Sequence, residues 1–356
     1  MKIRLRPPSD GIALLIVMCA IFVLSILAAG LAFSMKVESR LAQSTDTNQR
    51  LVWLGRSGVE YCRWVLAQEK CPYDSLNQQW AGGPGSECDN TNMTFANPVE
   101  LGDGSFTWKI IDLERFANIN NPMDAPEITQ ALTIMGVDAG DISVVSDSIQ
   151  DWVQSGDAPR IAGAKTDYYL GLNPPYNCKE APMDDLSELL LVKGILDHPE
   201  IYWGGAATNH PGASFQHHLG FGNAGEAPNY PFGLVELFTP FSTGLININT
   251  ADRNVLQLLP GVDANAADSI IKFRSGPDGV DGTSDDTSFQ NASQIPNQLQ
   301  AIGVNPAAAA QSGRLCDVRS ATFKVTITAQ IGNYKRDFNA ILYRTGRTVQ
   351  VVSFYY

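Results

Sequence analysis

Asp278, Asp281, Asp285 and Asp286 crowd into one glycine-punctuated stretch, Gly276 to Phe289, "GPDGVDGTSDDTSF". Carboxylates this close repel one another unless a cation joins them. A Ca²⁺ ion takes about six to eight oxygens, and the backbone at Val280 and Thr283 supplies carbonyls beside the side chains. The stretch predicts a Ca²⁺ site built from Asp278, Val280, Asp281, Thr283, Asp285 and Asp286. It is not an EF-hand, because the spacing differs and no Glu stands at the twelfth position. A solvated acidic turn is the competing reading.

A second stretch has the spacing of a binding hairpin. In "NINTADRNVLQLLPGVDANAADSIIKFR", Asn247 to Arg274, two helical segments flank a Pro-Gly turn. Leu256, Leu259, Val262, Ala267, Ile270 and Ile271 form its apolar face, which resembles a helix-hairpin-helix unit. Nucleic-acid-binding versions carry Gly-hydrophobic-Gly, so that backbone N–H groups approach a phosphate. Here the hairpin reads Gly261-Val262-Asp263, and a carboxylate in that place repels phosphate. A packing module is expected, with a more degenerate copy at Leu186–Ile195.

Other candidates are weaker. His210, His217 and His218 lie in a Gly- and Asn-rich segment without a nearby Cys, which fits a solvated loop better than zinc. Asp147 and Asp151 stand four apart on a predicted helix, a spacing common on solvated faces and in caps. There is no nucleophile elbow, no phosphate-binding Gly loop and no His-Glu-x-x-His, so no enzyme is expected.

The elements that must carry these residues begin with "RPPSDGIALLIVMCAIFVLSILAAGLAF", Arg6 to Phe33. A leader with Lys2, Arg4 and Arg6 ends at Gly11. About 22 uncharged residues follow, Ile12 to Phe33, ~33 Å as a helix and long enough to cross a bilayer. An anchor held with its basic end in the cytoplasm, a secretory signal and a prepilin leader compete here. The signal reading suffers from the length of the apolar run. In the prepilin reading the chain is cut after Gly11, and Ile12 opens the mature helix. Most pilin-like subunits carry Glu at the fifth mature position, which here is Ile16.

The 356 residues carry a net charge of −12, which disfavours nucleic acid and anionic lipid as partners. Of six cysteines, Cys19 lies in the apolar run and five lie beyond it. Cys71 and Cys88 flank a loop and are the first candidates for a disulfide, with Cys178–Cys316 second and Cys62 a free thiol. Met35 to Gln68 stays helix-compatible, with "QSTDTNQR" as an exposed or loosened turn. "SFTWKIIDL", Ser105–Leu113, alternates as a strand. Helical segments are predicted at Glu127–Met135, Asp141–Trp152, Asp184–Val192, Asp252–Leu259 and Ala264–Arg274, and a second strand at Phe232–Phe238. The last 37 or so residues read as a three-stranded antiparallel meander, with turns at Gly332-Asn333 and Thr345-Gly346-Arg347.

The order of these pieces is similar to one family, the K-type minor pseudopilins of type II secretion (general secretion pathway protein K). The residues that carry the resemblance are "SDG" before "IALLIVM", "SGVEYCRWVLAQ", "DLERFANINN", "SIQDWVQSGDAPRIAGAKTDYY", "NPPYNCKEAPMDDLSELLLVKGI" and "LININTADRNVLQLLPG". That family characteristically has an apolar fifth mature residue, as Ile16 is. The resemblance implies an α+β fold: a pilin-like long N-terminal helix packed on an antiparallel sheet, with a large inserted all-α domain containing helix-hairpin-helix-like units. It implies a leader at 1–11, a membrane segment at 12–33, pilin-like parts at 34–113, 232–246 and 313–356, an insert at 114–231, and the hairpin unit with its Ca²⁺ loop at 247–312.

It further implies cleavage by a prepilin peptidase after Gly11 and methylation of Ile12. The subunit would sit in the inner membrane with its body in the periplasm. It would cap the pseudopilus with I- and J-type minor pseudopilins, among other pseudopilins and inner-membrane secretion components. Two alternatives stand beside it: a minor pilin of a type IV pilus, and a membrane-tethered DNA-uptake protein.

Overall fold

A computed structural model describes residues 10–89, 94–121, 126–156, 158–205 and 229–356. The predicted residues His210, His217 and His218, and all of the leader before Asp10, lie outside the described residues.

Helix α1 runs unbroken from Asp10 to Gln68, 59 residues or ~88 Å. It passes through "QSTDTNQR" as regular helix, so no loosened turn forms there. Up to Arg50 nearly every described side chain is exposed. From Leu51 onward one face is buried: Leu51, Leu54, Val59, Cys62, Val65 and Leu66 pack on a sheet. Gly55 and Gly58 let the helix lie close, since a Cβ on Gly55 would stand 2.4 Å from the Phe338 ring and one on Gly58 2.7 Å from Ile327.

The sheet has five antiparallel strands in the order β1 (Val99–Leu101), β2 (Gly104–Asp112), β7 (Thr322–Ile331), β8 (Tyr334–Thr345), β9 (Thr348–Tyr355). Alternation places Phe106, Trp108 and Ile110 of β2, and Phe338, Ala340 and Leu342 of β8, in the core with α1. Neighbours β2 and β7 pair Trp108 with Ile327 and Asp112 with Phe323. The chain between those two strands forms the insert.

That insert is one body with its own core, running from Ala117 to Val318 and also taking in Tyr73. Helix α2 (Pro126–Met135) packs on α3 (Ala139–Val153), which Asp138 caps. Helices at Ala264–Arg274, Ile295–Ala301 and Pro306–Leu315 also belong to it, with short ones at Thr166–Leu170 and Glu200–Trp203. The segments predicted at Asp184–Val192 and Asp252–Leu259 are a 3₁₀ turn, Leu186–Leu191, and a single turn, Arg253–Leu256.

The predicted pilin-like strand at 232–246 is corrected. Leu234–Glu236 is a 3₁₀ turn, Phe238–Thr239 (β4) pairs in parallel with Ala117–Asn118 (β3), and Ile246–Asn247 (β5) pairs in parallel with Cys316–Asp317 (β6). None joins the five-stranded sheet. Leu234 and Leu237, three apart, are both fully buried in the insert core, which is a helical spacing and not an alternating one. The hairpin unit at 247–312 shares that same core, so the expected boundary between 231 and 247 disappears.

Candidate metal centre

The acidic loop leaves the helix Ala264–Arg274 through Gly276, whose positive φ of 65° makes the turn. Thr287 N–H donates to the Arg274 carbonyl at 2.7 Å and closes the loop on itself. Phe289 then anchors it: its N–H donates to Asn249 Oδ1 and its carbonyl accepts from Asn249 Nδ2, at 2.8 and 2.9 Å.

Inside the loop the oxygens are ordered by backbone N–H groups. Asp278 Oδ1 accepts from Val280, Asp285 Oδ2 from Asp278, and Asp286 Oδ2 from Gly282. Thr283 Oγ1 lies 3.1 Å from the Val280 carbonyl, 2.7 Å from Asp285 Oδ1 and 3.2 Å from Asp286 Oδ1. A hydroxyl has one proton and three acceptors face it; Asp286 Oδ1 also accepts from the Thr283 N–H at 3.2 Å, so one oxygen at this point, of the Val280 carbonyl and Asp285 Oδ1, lacks a donor. Asp285 is held below the usual carboxylate range, first by the Thr283 hydroxyl and then by the Asp278 N–H. Hard oxygens converging on one point, two of them from carboxylates, fit a Ca²⁺ ion.

Two members of the predicted set play other parts. Asp281 has both oxygens on Arg274, with Nε to Oδ1 at 3.1 Å and Nη2 to Oδ2 at 2.6 Å. Arg274 is itself buried and spends its Nη1 on the carbonyls of Ile248 and Ala251. Asp281 therefore answers a buried guanidinium, and the convergent set consists of Val280, Thr283, Asp285 and Asp286, with Asp278 at its exposed edge. Thr283 brings its hydroxyl to that point, where a carbonyl was expected. Among the described residues, Glu69, Cys71 and Asp89 place three ligand-type atoms within 4.8 Å of one another, but Cys71 is in a disulfide.

A buried polar seam joins the insert to the sheet, and sequence reasoning missed it. Asp112 Oδ2 accepts from Thr250 Oγ1, Ser320 Oγ and Asn247 Nδ2, at 2.6, 2.7 and 3.1 Å. Glu114 accepts the N–H groups of Thr243 and Thr322. Asp74 pairs with Arg344, and Ser320 N–H donates to the same carboxylate. Burial pushes Asp112 up, and it pushes Glu114 to about 8, with the Asp112 charge as the second cause. The signal was present in the sequence. Asp112 continues the inward positions of Phe106, Trp108 and Ile110, and Arg344 continues those of Phe338, Ala340 and Leu342, so alternation puts a charge in the core at each strand's end.

The remaining candidates resolve structurally. Asp147 Oδ2 accepts from Ala162 N–H and Asp151 Oδ2 from Arg160 N–H, so both carboxylates pin the loop after α3. Asp263 caps the helix Ala264–Arg274 by accepting from Ala266 N–H, which occupies the hairpin end where a phosphate would approach. Cys71 and Cys88 are disulfide-bonded, with Cα atoms 5.3 Å apart. The second expected pair is corrected: Cys178 and Cys316 are both free and buried. Cys178 Sγ faces the Asp151 carbonyl, whereas Cys316 opens β6 beside Ile246. Cys62 is free and buried between helix and sheet, where burial raises its thiol pKa. Gly11 and Ile12 lie in the first turns of α1, the one described helix long and apolar enough to cross a membrane.

A long helix laid on an antiparallel sheet, with a helical body inserted between adjacent strands, is a pilin-like fold with an enlarged head. Residues 111–201 match the family model described as type II secretion system (T2SS), protein K. The chain is 27% identical over 208 residues to a putative type II secretion system protein K of Escherichia coli (strain K12), covering 53% of this chain. It is 25% identical over 206 residues to the type II secretion system protein K of Aeromonas hydrophila, covering 52% of this chain. These matches span 58% and 59% of the relatives' own length. In fold the chain is similar to a chain in the crystal structure of the GspK-GspI-GspJ complex from the enterotoxigenic E. coli type 2 secretion system. There the TM-score is 0.61 at 17% identity, over 88% of this chain and 98% of that one. The chain thus resembles type II secretion system protein K in sequence, by the family model over residues 111–201, and shares its fold over most of its length with a chain of that complex.

Proposed function

We propose that this chain is a minor pseudopilin at the tip of a type II secretion pseudopilus, where it initiates assembly with I- and J-type minor pseudopilins for protein export. The observation that carries the reading is the insert's position. It interrupts the sheet between the adjacent strands β2 and β7 and builds a second core larger than the first. A body widened in this way suits the end of a fibre better than its middle. Ile16 supports the same place. A subunit with no neighbour above it gains nothing from a carboxylate there, and an unpaired charge in lipid costs several kcal/mol. In this reading prepilin peptidase cuts after Gly11, Ile12 becomes the methylated N-terminus, and Ile12–Phe33 holds the subunit in the inner membrane with its body in the periplasm.

Within this reading a structural Ca²⁺ is held by Val280, Thr283, Asp285 and Asp286, with Asp278 at the rim. The ion would neutralise carboxylates that the loop itself brings together. Asp281 and Arg274 hold the base of the loop in place. No nucleic-acid partner is included, since Arg253 pairs with Asp268 and Arg274 is buried, which commits two of the hairpin unit's cations.

The test is co-expression with I- and J-type subunits. The three should co-purify as a complex, and the mature chain should show a methylated Ile12 by mass spectrometry. A chain that stays uncleaved, or that never associates with those subunits, would sink the proposal.

A further inference from the structure

The segment that follows α1 clasps the two cores together. Tyr73 lies in the insert core and Trp80 in the sheet core, where its ring meets Phe323 edge-on at 5.3 Å. Between them Asp74 pairs with Arg344 of β8, and the Asp74 carbonyl accepts from Asn247 Nδ2. Ser75 N–H and Trp80 Nε1 both donate to Gln78 Oε1, at 3.0 and 2.7 Å. The Cys71–Cys88 disulfide closes this clasp.

Its two sulfurs are not equivalent. Cys71 is 1% exposed, whereas Cys88 is half-buried. Cys71 Sγ lies 3.9 Å from Asp89 Oδ1, and carboxylate oxygens of Glu69 and Asp89 lie with that sulfur within 4.8 Å of one another. The Ser86 hydroxyl sits 3.4 Å from each sulfur. In thiol–disulfide exchange a thiolate attacks one sulfur and expels the other as a thiolate. Solvent reaches Cys88, so Cys71 is the sulfur expelled, into a buried site beside two carboxyl groups. A bare thiolate is costly there unless it takes up a proton. Glu69 is placed to hold one. Burial first, with the Asp89 and Asp74 charges adding to it, pushes its pKa up to about 7, against the Cys71 N–H that it accepts at 2.9 Å. Tyr73 borders the same site, Asp74 is taken by Arg344, and the flanking Lys70 and Glu87 are exposed.

We propose that Cys71–Cys88 is a thiol–disulfide exchange site entered at Cys88, with the Glu69–Asp89 carboxyl pair as proton donor and acceptor for Cys71. On opening, a thiolate RS⁻ bonds to Cys88 Sγ and the S–S bond breaks. Its electron pair leaves on Cys71 Sγ, which takes the proton of the carboxyl pair. A second thiol removes R as RSSR, so two RSH are oxidised and the two cysteines are reduced. On closing, a disulfide RSSR is the oxidant, and the carboxylate pair receives the Cys71 proton. The exchange thereby sets whether the insert is tied to the pilin-like body, and it does not depend on the proposed pseudopilin role.

The folded full-length chain in detergent tests this with reduced glutathione as the probe, followed by acid quench and peptide mapping. Glutathione should appear on Cys88 and not on Cys71. The opening rate, divided by the concentration of glutathione thiolate, should fall at least fivefold from about pH 6 to about pH 9, as Glu69 gives up its proton. Glu69→Gln keeps an acceptor oxygen for the Cys71 N–H but has no proton to transfer. Its opening rate should be at least fivefold below wild type at about pH 6 and flat across the same range. Adducts on Cys71, or a wild-type disulfide that glutathione never opens, overturn the inference. So does a Glu69→Gln profile that follows the wild-type one. Where Glu69→Gln does not fold, the wild-type chain decides alone: a flat wild-type profile overturns the proton transfer, and a falling one with Cys88 adducts supports it.

Discussion

Glu114 has the most consequential chemistry of any single residue in the body. It is 1% exposed, accepts the backbone N–H groups of Thr243 and Thr322, and lies near the Asp112 carboxylate. Its pKa is raised from 4.5 to about 8, mainly by burial. The folded state therefore holds a proton that the unfolded chain has released above pH 4.5 or so. The resulting stability is fully present below that pH and is lost as pH rises through about 8. Glu114→Gln, which cannot ionise, should flatten the fall in melting temperature of the soluble body between pH 5 and pH 8. Parallel pH profiles for the variant and the wild type would refute the assignment. The linked Asp112 also titrates upward, so a residual slope in the variant is expected.

Among the elements, α1 has two halves built by different rules. In the apolar half Gly30 meets nothing within 4 Å, so its type is free of packing demands within the subunit. In the packed half Gly55 and Gly58 set the distance between helix and sheet. Gly55→Ala gains about 1 kcal/mol in helix propensity. It also drives a methyl onto the buried Phe338 ring, an overpacking cost of about 1–3 kcal/mol. The second effect should win, since Phe338 is fully buried and stacked on Phe354 with centroids 5.8 Å apart. A melting temperature lower by a few degrees is expected for Gly55→Ala. An increase would mean that the sheet retreats without cost. The same packing explains why alternation in β2, β7 and β8 was readable from sequence. One face of each strand meets α1, and a period of two follows directly. The strand expected at Phe232–Phe238 failed because short apolar runs do not distinguish a strand from a buried turn. The insert core around Leu234 and Leu237 decided it.

At the scale of the whole molecule two cores share one chain, joined by the buried polar seam. The acidic loop belongs to the insert, yet a Cβ on Gly282 would stand 3.5 Å from the Leu76 carbonyl in the disulfide-closed segment after α1. Filling the loop with Ca²⁺ would thus brace the insert against the pilin-like body. Binding only the folded form stabilises it by mass action. The soluble body should melt several degrees higher in Ca²⁺ than in chelator, and Asp285→Ala should abolish that difference. Asp281→Ala should behave otherwise. It strands the buried Arg274 and should cost about 3 kcal/mol with or without the ion. A body indifferent to chelation would remove the cation from the account, and equal behaviour of the two variants would remove the division of roles.

The sequence by itself determined what depends on local pattern. Charge-free length marks the membrane-competent helix, alternation marks the main strands, and the crowding of Asp278 to Asp286 marks the acidic loop proposed to take a cation. It also contained the inward charges Asp112 and Arg344, visible as breaks in an apolar register. Only the tertiary structure decided which distant groups meet. Asp74 reaches Arg344, Asp112 reaches Thr250 and Ser320, and Arg274 takes Asp281 out of the acidic set. The physical reason is the same in each case. A buried charge must find its partner wherever the fold brings one, and spacing along the chain does not record which group that is, whether it stands seven residues away, as Asp281 does from Arg274, or more than a hundred, as Thr250 does from Asp112.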